Sequence, residues 1–526
     1  MSIIQHLVSV LLMLLVACSS NTEYDVIISN GNVHPGNGDT PQIQDLGIIG
    51  EKIVAIGDLS EYPAKRRINA QGLEVSPGFI DLHAHLDPIF SLPECESMIR
   101  QGVTTALGGP DGGGPWALGD YMDSLEAVGT GMNVAYLVGH NSVRQQVMGL
   151  ENREPSAEEL TQMKQLVAQA MAHGAYGIST GLKYLPGTFS KTPEIIELSR
   201  VAAENQGIYT SHLREEGLGL IDAVYEAMVI GREADIPIVL THHKVMGKPM
   251  WGKSVVTLAM VDSARAAGID VMMDQYPYPA SHTGIGVLIP PWCRAGGQKA
   301  FQERTEDPIL KDSIKSGIIF NLLNDRGGAD LKRVQFAKVE WAPELEGKTL
   351  EDWCLSKDLE PSLDNGAELV IQAQLNGGAR CIFHAMDPAD VKRIMQHPMT
   401  MVASDGRLVA PGIGHPHPRW YGTFPRVLGQ YVRDSAVIDL PTGIHKMTGM
   451  PAARLGLIDR GLIKEGYHAD LVIFNAATIK DRSTFTDPHH YPEGIEFVLV
   501  NGQLTVDQGQ FKDIRKGKVL KKNNDQ

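Results

Sequence analysis

"TPEIIELSRVAAENQGIYTSH", Thr192 to His212, carries one whole repeat of the fold. Thr192 suits a helix cap, Pro193 the first turn and Gly207 the stop, with apolar residues three and four apart between them. The chain then turns strand-like in "GIYTSH". Working outward, "IPIVLTHH" and "IDVMMDQYPY" follow at intervals of about thirty residues, the size of one βα unit. Upstream lie "NVAYLVGH" and "AYGISTG", with the helical pattern "SAEELTQMKQLVAQAMAHG" between them. Repetition of this kind predicts an α/β protein built on a (β/α)8 TIM-like barrel rather than an open doubly wound sheet. No G-x-G-x-x-G follows a strand, so a dinucleotide fold has no support.

The two ends of the chain read differently from its centre. "YDVIISNGNVHPGNG" (Tyr24–Gly38) and "EFVLVNGQLTVDQG" (Glu496–Gly509) each place Asn-Gly between apolar runs, a hairpin signal. With "DLGIIGEKIVAIGD" and "EGYHADLVIFN" they predict one small β-sandwich domain made from both ends, residues 18–75 and 456–526. The barrel is expected over residues 76–455, with a lid-like insertion near 302–364, where the pattern breaks. A length of 526 residues with 43% hydrophobic and 21% charged content suits this arrangement. A formal net charge of −15 argues against nucleic acid as a partner. Cys95, Cys293, Cys354 and Cys381 show no C-x-x-C pairing, hence neither a disulfide framework nor a thiolate zinc site.

Barrel enzymes carry their chemistry at the C-terminal ends of strands. "GFIDLHAHLDP" ends one strand in His83 and His85, two residues apart and so able to face one ion. "YTSHLREEG" ends another in His212, and "VLTHHKVMG" ends the next in His242, His243 and Lys244. "MVASDG" ends a late strand in Asp405. An H-x-H, two histidines on successive strands and a final aspartate form a ligand set for zinc or a similar ion.

The chain resembles the amidohydrolase superfamily, and within it the D-aminoacylase (N-acyl-D-amino-acid deacylase) family. The resemblance runs over nearly the whole chain, through "PGFIDLHAHLDP", "GISTGLKYLPG", "SHLREEG", "DQYPYPAS", "HPRWYGTFPRVLG" and "DPHHYPEGIEFVLVNG". It implies one or two zinc ions held by His83, His85, His212, His242 and Asp405, with Asp405 also the general base and acid of amide hydrolysis. In most D-aminoacylases a cysteine just after the "GVTT" strand ligates the metal. Here "GVTTALGGPDGGGP" has Asp111 at that position, an additional ligand or merely a turn residue. Related amidohydrolases use a lysine of the fourth strand, carboxylated by carbon dioxide, to bridge two metals. That strand is "AYGISTGLK", so the resemblance makes Lys183 the expected bridge, a carbamate answering the charge of the cations.

An N-acyl amino acid carries a free carboxylate, and Arg419 in "HPRWYG" offers a planar fork for it. By the same resemblance Lys244 and Tyr276 join Arg419, while His140, His243 and Tyr278 are further candidates for the pocket or its support. The expected activity is hydrolysis of the linear amide of a small N-acyl-D-amino acid. The alternatives are a dipeptidase, a cyclic-amide hydrolase of the dihydroorotase or hydantoinase type, or a non-catalytic binding lipoprotein. The N-terminal "LVSVLLMLLVACSS" resembles a lipoprotein signal over residues 1–17, with Cys18 the lipidated residue. Ser19 in place of Asp then implies a lipid anchor in the outer membrane of the bacterial envelope, facing the periplasm.

Overall fold

The structure, a computed structural model, describes residues 23–522. The signal segment and Cys18 lie outside the described residues. Eight parallel strand positions follow one another around a barrel. Phe79–Asp81, Val103–Gly108 and Asn133–Tyr136 pair in that order. Val138–Gly139, which continues the third position past Leu137, then Gly177–Gly181, Ile208–His212, Ile238–Leu240, Val271–Gln275 and Thr400–Val402 complete the eight. The ring closes where Gly406 and Arg407 pair in parallel with Ala84 and His85. Ser404 N and Oγ also donate to the Asp81 carboxylate across that seam. Apolar faces of the intervening helices pack on the strands in one large core, as their three-four spacing requires. The helix Thr192–Glu204 starts one residue earlier than its capping pattern suggested: Thr192 is already helical, and its hydroxyl donates to Glu226 instead.

Strands from both chain ends form a nine-stranded sheet, joined where Glu74–Pro77 pairs antiparallel with Leu471–Phe474. Asn501-Gly502 makes the expected hairpin between Ile495–Val500 and Gln503–Asp507. Asn30-Gly31 does not. It is a bulge inside the continuous strand Tyr24–Val33, with Asn30 at φ 58°. The same positive-φ preference that makes a turn also accommodates an extra residue in a ladder. The excursion from the barrel is larger than residues 302–364. It includes an antiparallel sheet of Ser281–Gly284, Val334–Lys338 and Arg380–Phe383, several helices and a separate apolar core. Among the described residues no helix is long and apolar enough to cross a membrane.

Candidate metal centre

The C-terminal ends of the barrel strands bring two donor groups together. His83, His85, Asp111 and Asp405 form one; Asp111, His212 and His242 form the other; the ligand atoms of each lie within 4.8 Å of one another. Asp111 belongs to both. Its Oδ1 is 3.4 Å from His83 Nε2, 3.4 Å from His242 Nε2 and 3.7 Å from His212 Nδ1, and its Oδ2 is 3.6 Å from His85 Nε2. Asp405 Oδ1 is 3.2 Å from His85 Nε2 and 3.6 Å from His83 Nε2. His212 Nδ1 and His242 Nε2 face each other at 2.7 Å, converging on one point.

Asp111 reaches this place because its loop is clamped. Ser179 Oγ donates to Gly109 O at 2.6 Å and accepts from Gly112 N at 3.1 Å, on either side of the aspartate. A side chain at Gly112 would meet Asn141 Oδ1 at 2.1 Å, so only glycine lets the loop lie this close. Asp111, His242 and Asp405 all have positive φ, of 55°, 37° and 46°. Such conformations are uncommon for these residues and persist where surrounding contacts over-determine them.

The electrostatics match a cation site. His83 Nε2 and Asp111 Oδ1, which face each other in the donor groups, are buried with no hydrogen-bond partner. Unsatisfied donors and acceptors of this kind need an explanation, and a divalent ion among nitrogen and oxygen ligands supplies one. Burial opposes the Asp111 charge, yet His83, His242 and His212 hold its carboxyl well below the usual range. Burial and Lys244 also oppose charge on His242, but Asp111 and Glu216 raise it to about 10. The residues present fit zinc.

The model of the Amidohydrolase family matches residues 66–243 and 340–506. The chain belongs to the amidohydrolase family. It is 38% identical to an N-acyl-D-glutamate deacylase of Alcaligenes xylosoxydans xylosoxydans, over 95% of this chain and 96% of that one. A D-aminoacylase of the same organism is 36% identical over 95% of this chain and 98% of the relative. Among solved structures, an N-acyl-D-glutamate deacylase from Bordetella bronchiseptica, complexed with zinc and a phosphonate inhibitor, superposes with a TM-score of 0.81. It shares 33% identity and covers 95% of this chain and 100% of its own.

In this amidohydrolase, the expectation for Lys183 needs correction. Its ammonium contacts both Glu215 oxygens at 2.8 Å and Asp325 Oδ2 at 3.4 Å. A carbamate there would face two carboxylates, whereas an ammonium is neutralised by them. Asp111 takes the shared position instead. His140 does not line the cavity: its Nε2 bonds Glu194 at 2.8 Å in a buried cluster with Arg144. His243 turns away to Thr257 Oγ1, and Tyr278 packs under Arg426 toward Asp481. Neither lines the cavity.

Arg419 is 1% exposed, and its Nη2 is 2.9 Å from Asp405 Oδ1 while Nε and Nη1 have no partner. Tyr276 lies beneath it, 4.5 Å from the guanidinium carbon, and Lys244 Nζ is 5.8 Å from the same ring. Lys244 is ion-paired with buried Glu216. Glu216, Asp81 and Asp274 were missed in the sequence. Glu216 Oε1 is 3.2 Å from His242 Nδ1 and fixes that imidazole. Asp274 accepts from His242 N at 2.6 Å. Asp81 accepts from His83 N, and burial pushes its carboxyl up to about 6 against the Ser404 hydrogen bonds. The only signal for Asp81 and Asp274 was an aspartate inside an otherwise apolar strand run. His417 accepts from Arg419 N at 3.0 Å and so orients the arginine.

Proposed function

We propose that this chain hydrolyses the linear amide of N-acyl-D-amino acids, releasing a carboxylate and a free D-amino acid. The observation that carries the reading is the junction of Asp405, set in a metal-donor group, with Arg419, whose Nε and Nη1 have no partner and await an anion. The deacylases at 36–38% identity support both the linear amide and the D configuration.

His83, His85 and Asp405 would hold zinc on one side of Asp111, and His212 and His242 on the other. Zinc, as one or two ions, supplies Lewis-acid activation of water and of the amide carbonyl when bound. Asp405 accepts the proton of the attacking water and returns it to the departing amide nitrogen. Burial opposes its charge, yet Arg419, His83 and His85 hold the carboxyl below the usual range, so it stands ready as a base. The substrate carboxylate pairs with the Arg419 fork over Tyr276, with the Lys244 cation nearby. That carboxylate then shares Arg419 with Asp405 and returns basicity to it as the amide arrives. The cavity above the strand ends, about 1710 Å³, admits a small acyl amino acid and is walled in part by the excursion.

The reading extends to a lipid-anchored enzyme of the bacterial envelope, facing the periplasm. Support comes from Leu15-Val16-Ala17-Cys18 and the Ser19 that follows. Substitution of Cys18 by alanine should move the protein from the membrane to the soluble fraction; membrane retention would exclude the anchor. For the activity, zinc-loaded protein lacking residues 1–18 is incubated with racemic N-acetyl amino acids and with dipeptides. Chiral chromatography should show release of D-amino acids from the acetyl panel. Release of L-amino acids, or from dipeptides alone, would sink the reading.

A further inference from the structure

The cavity contains a second buried guanidinium that the reaction as derived does not use. Arg326 follows the helix Pro308–Asn324 of the excursion, is 3% exposed and lines the same cavity as Asp405 and Arg419. Among the described residues its guanidinium donates no hydrogen bond, and its Nε is buried without a partner. The nearest carboxylate oxygen, Asp325 Oδ2, is 3.4 Å from Nε and makes no hydrogen bond to it. That oxygen also faces Lys183 Nζ at 3.4 Å.

The other acids near Arg326 are Glu216 and Glu215, and both are committed. Glu215 is held at 2.8 Å by Lys183, and Glu216 is paired with Lys244. Phe383 lies 5.6 Å from the guanidinium carbon. Lys183 answers Glu215 and Lys244 answers Glu216, so among the described residues Asp325 is the counter-charge of Arg326, at 3.4 Å and without a hydrogen bond. The guanidinium is balanced in charge but has no acceptor for its fork. A buried guanidinium whose N–H groups have no acceptor is poorly solvated, and an anion entering the cavity relieves that.

Arg419, stacked over Tyr276, and Arg326 line the same cavity. A substrate with one carboxylate satisfies one fork and leaves the other bare. We propose that Arg326 forms a subsite for a second carboxylate, so that the preferred substrates are N-acyl-D-amino acids with an acidic side chain. The subsite rests on the deacylase reading for its chemistry, but it binds the released amino acid equally well and is tested there.

The experiment titrates zinc-loaded enzyme calorimetrically with D-glutamate and D-aspartate and with their neutral isosteres, D-glutamine and D-asparagine. In parallel, kcat/KM is measured for N-acetyl-D-glutamate and N-acetyl-D-glutamine. At least one acid should bind about tenfold or more tighter than its amide, as a fork-to-carboxylate contact requires. Arg326→Met should bring acid and amide together while leaving amide binding unchanged. Arg326→Lys, with the charge but no fork, should fall between. Equal binding of acid and amide by the wild type overturns the proposal, whatever the variants do. So does an Arg326→Met variant, folded by its thermal transition, that weakens acid and amide alike. Arg294 is half-buried in the same cavity and, among the described residues, makes no ion pair. If Arg294→Met rather than Arg326→Met erases the preference, the assignment to Arg326 is wrong. Acid-selective product binding without hydrolysis of N-acetyl-D-glutamate leaves the subsite standing and refutes the deacylase reading instead.

Discussion

Replacing Asp111 by asparagine separates the two bridging hypotheses. Asparagine keeps the size of the side chain and one carbonyl oxygen, so the clamped loop between Gly109 and Gly112 has no steric reason to move. What it loses is the negative charge that both donor groups share. A unit charge pair at about 4 Å and an effective dielectric near 20 is worth about 4 kcal/mol, roughly a thousandfold in affinity. Asp111 oxygens lie 3.4–3.7 Å from four imidazole nitrogens, so an ion held by those nitrogens would sit at least as close. Zinc affinity should therefore fall by about a thousandfold or more. The assay is zinc content by elemental mass spectrometry after dialysis, with a competing chromophoric chelator to give the constant. Lys183→Ala is the partner experiment and should keep its zinc, with or without bicarbonate during reconstitution. An Asp111→Asn protein that binds zinc like the wild type, beside a Lys183→Ala protein that does not, would refute the reasoning and restore the carboxylated lysine.

Removing the metal should make stability depend on pH in a defined direction. In the zinc-free site His242 has its pKa raised to about 10, from an ordinary value near 6.5. A raised folded pKa contributes stability that is complete below about 6.5 and is lost as pH rises toward 10. His212 is lowered by burial and by His242, so its opposing effect is spent below pH 6.5. Calorimetry of chelator-treated protein should thus show Tm falling from pH 7 to 10, more steeply than for the zinc-loaded form; a flat apo profile would contradict the assignment. Arg419→Met should lower kcat/KM for an N-acetyl amino acid by about thirtyfold or more, the value of a charged hydrogen-bonded contact. It should lower it much less for the corresponding methyl ester, and equal losses on both would argue against carboxylate recognition. Glu216→Gln leaves Lys244, 4% exposed, as an unpaired buried cation. Thermal or denaturant unfolding should show a loss of about 3 kcal/mol or more.

Local patterns were enough for the barrel and for most of the metal donors. Strand and helix periodicity is a property of neighbours in sequence, and the C-terminal end of a barrel strand is a defined place whatever the distant chain does. His83, His85, His212, His242 and Asp405 stand at strand ends, and parallel register carries them to one face. The loop residues were not legible in this way. Asp111 and Lys183 both follow barrel strands, and both are ionisable residues in Gly- and Pro-rich turns. What separates them is contact with chain far away in sequence. Ser179 and Ser142 draw the Asp111 loop inward, while Glu215 and Asp325 hold the Lys183 ammonium in place.

The sequence by itself therefore determined a (β/α)8 barrel, a sheet drawn from both chain ends and a ring of histidines with a final aspartate. Tertiary structure alone placed Asp111 between the two donor groups, His140 in a separate cluster and Arg326 in the cavity from the excursion. The physical reason is range. A strand fixes its side chains by alternation within a few residues, but the direction of a charge on a loop is fixed by whichever opposite charge the fold brings to it.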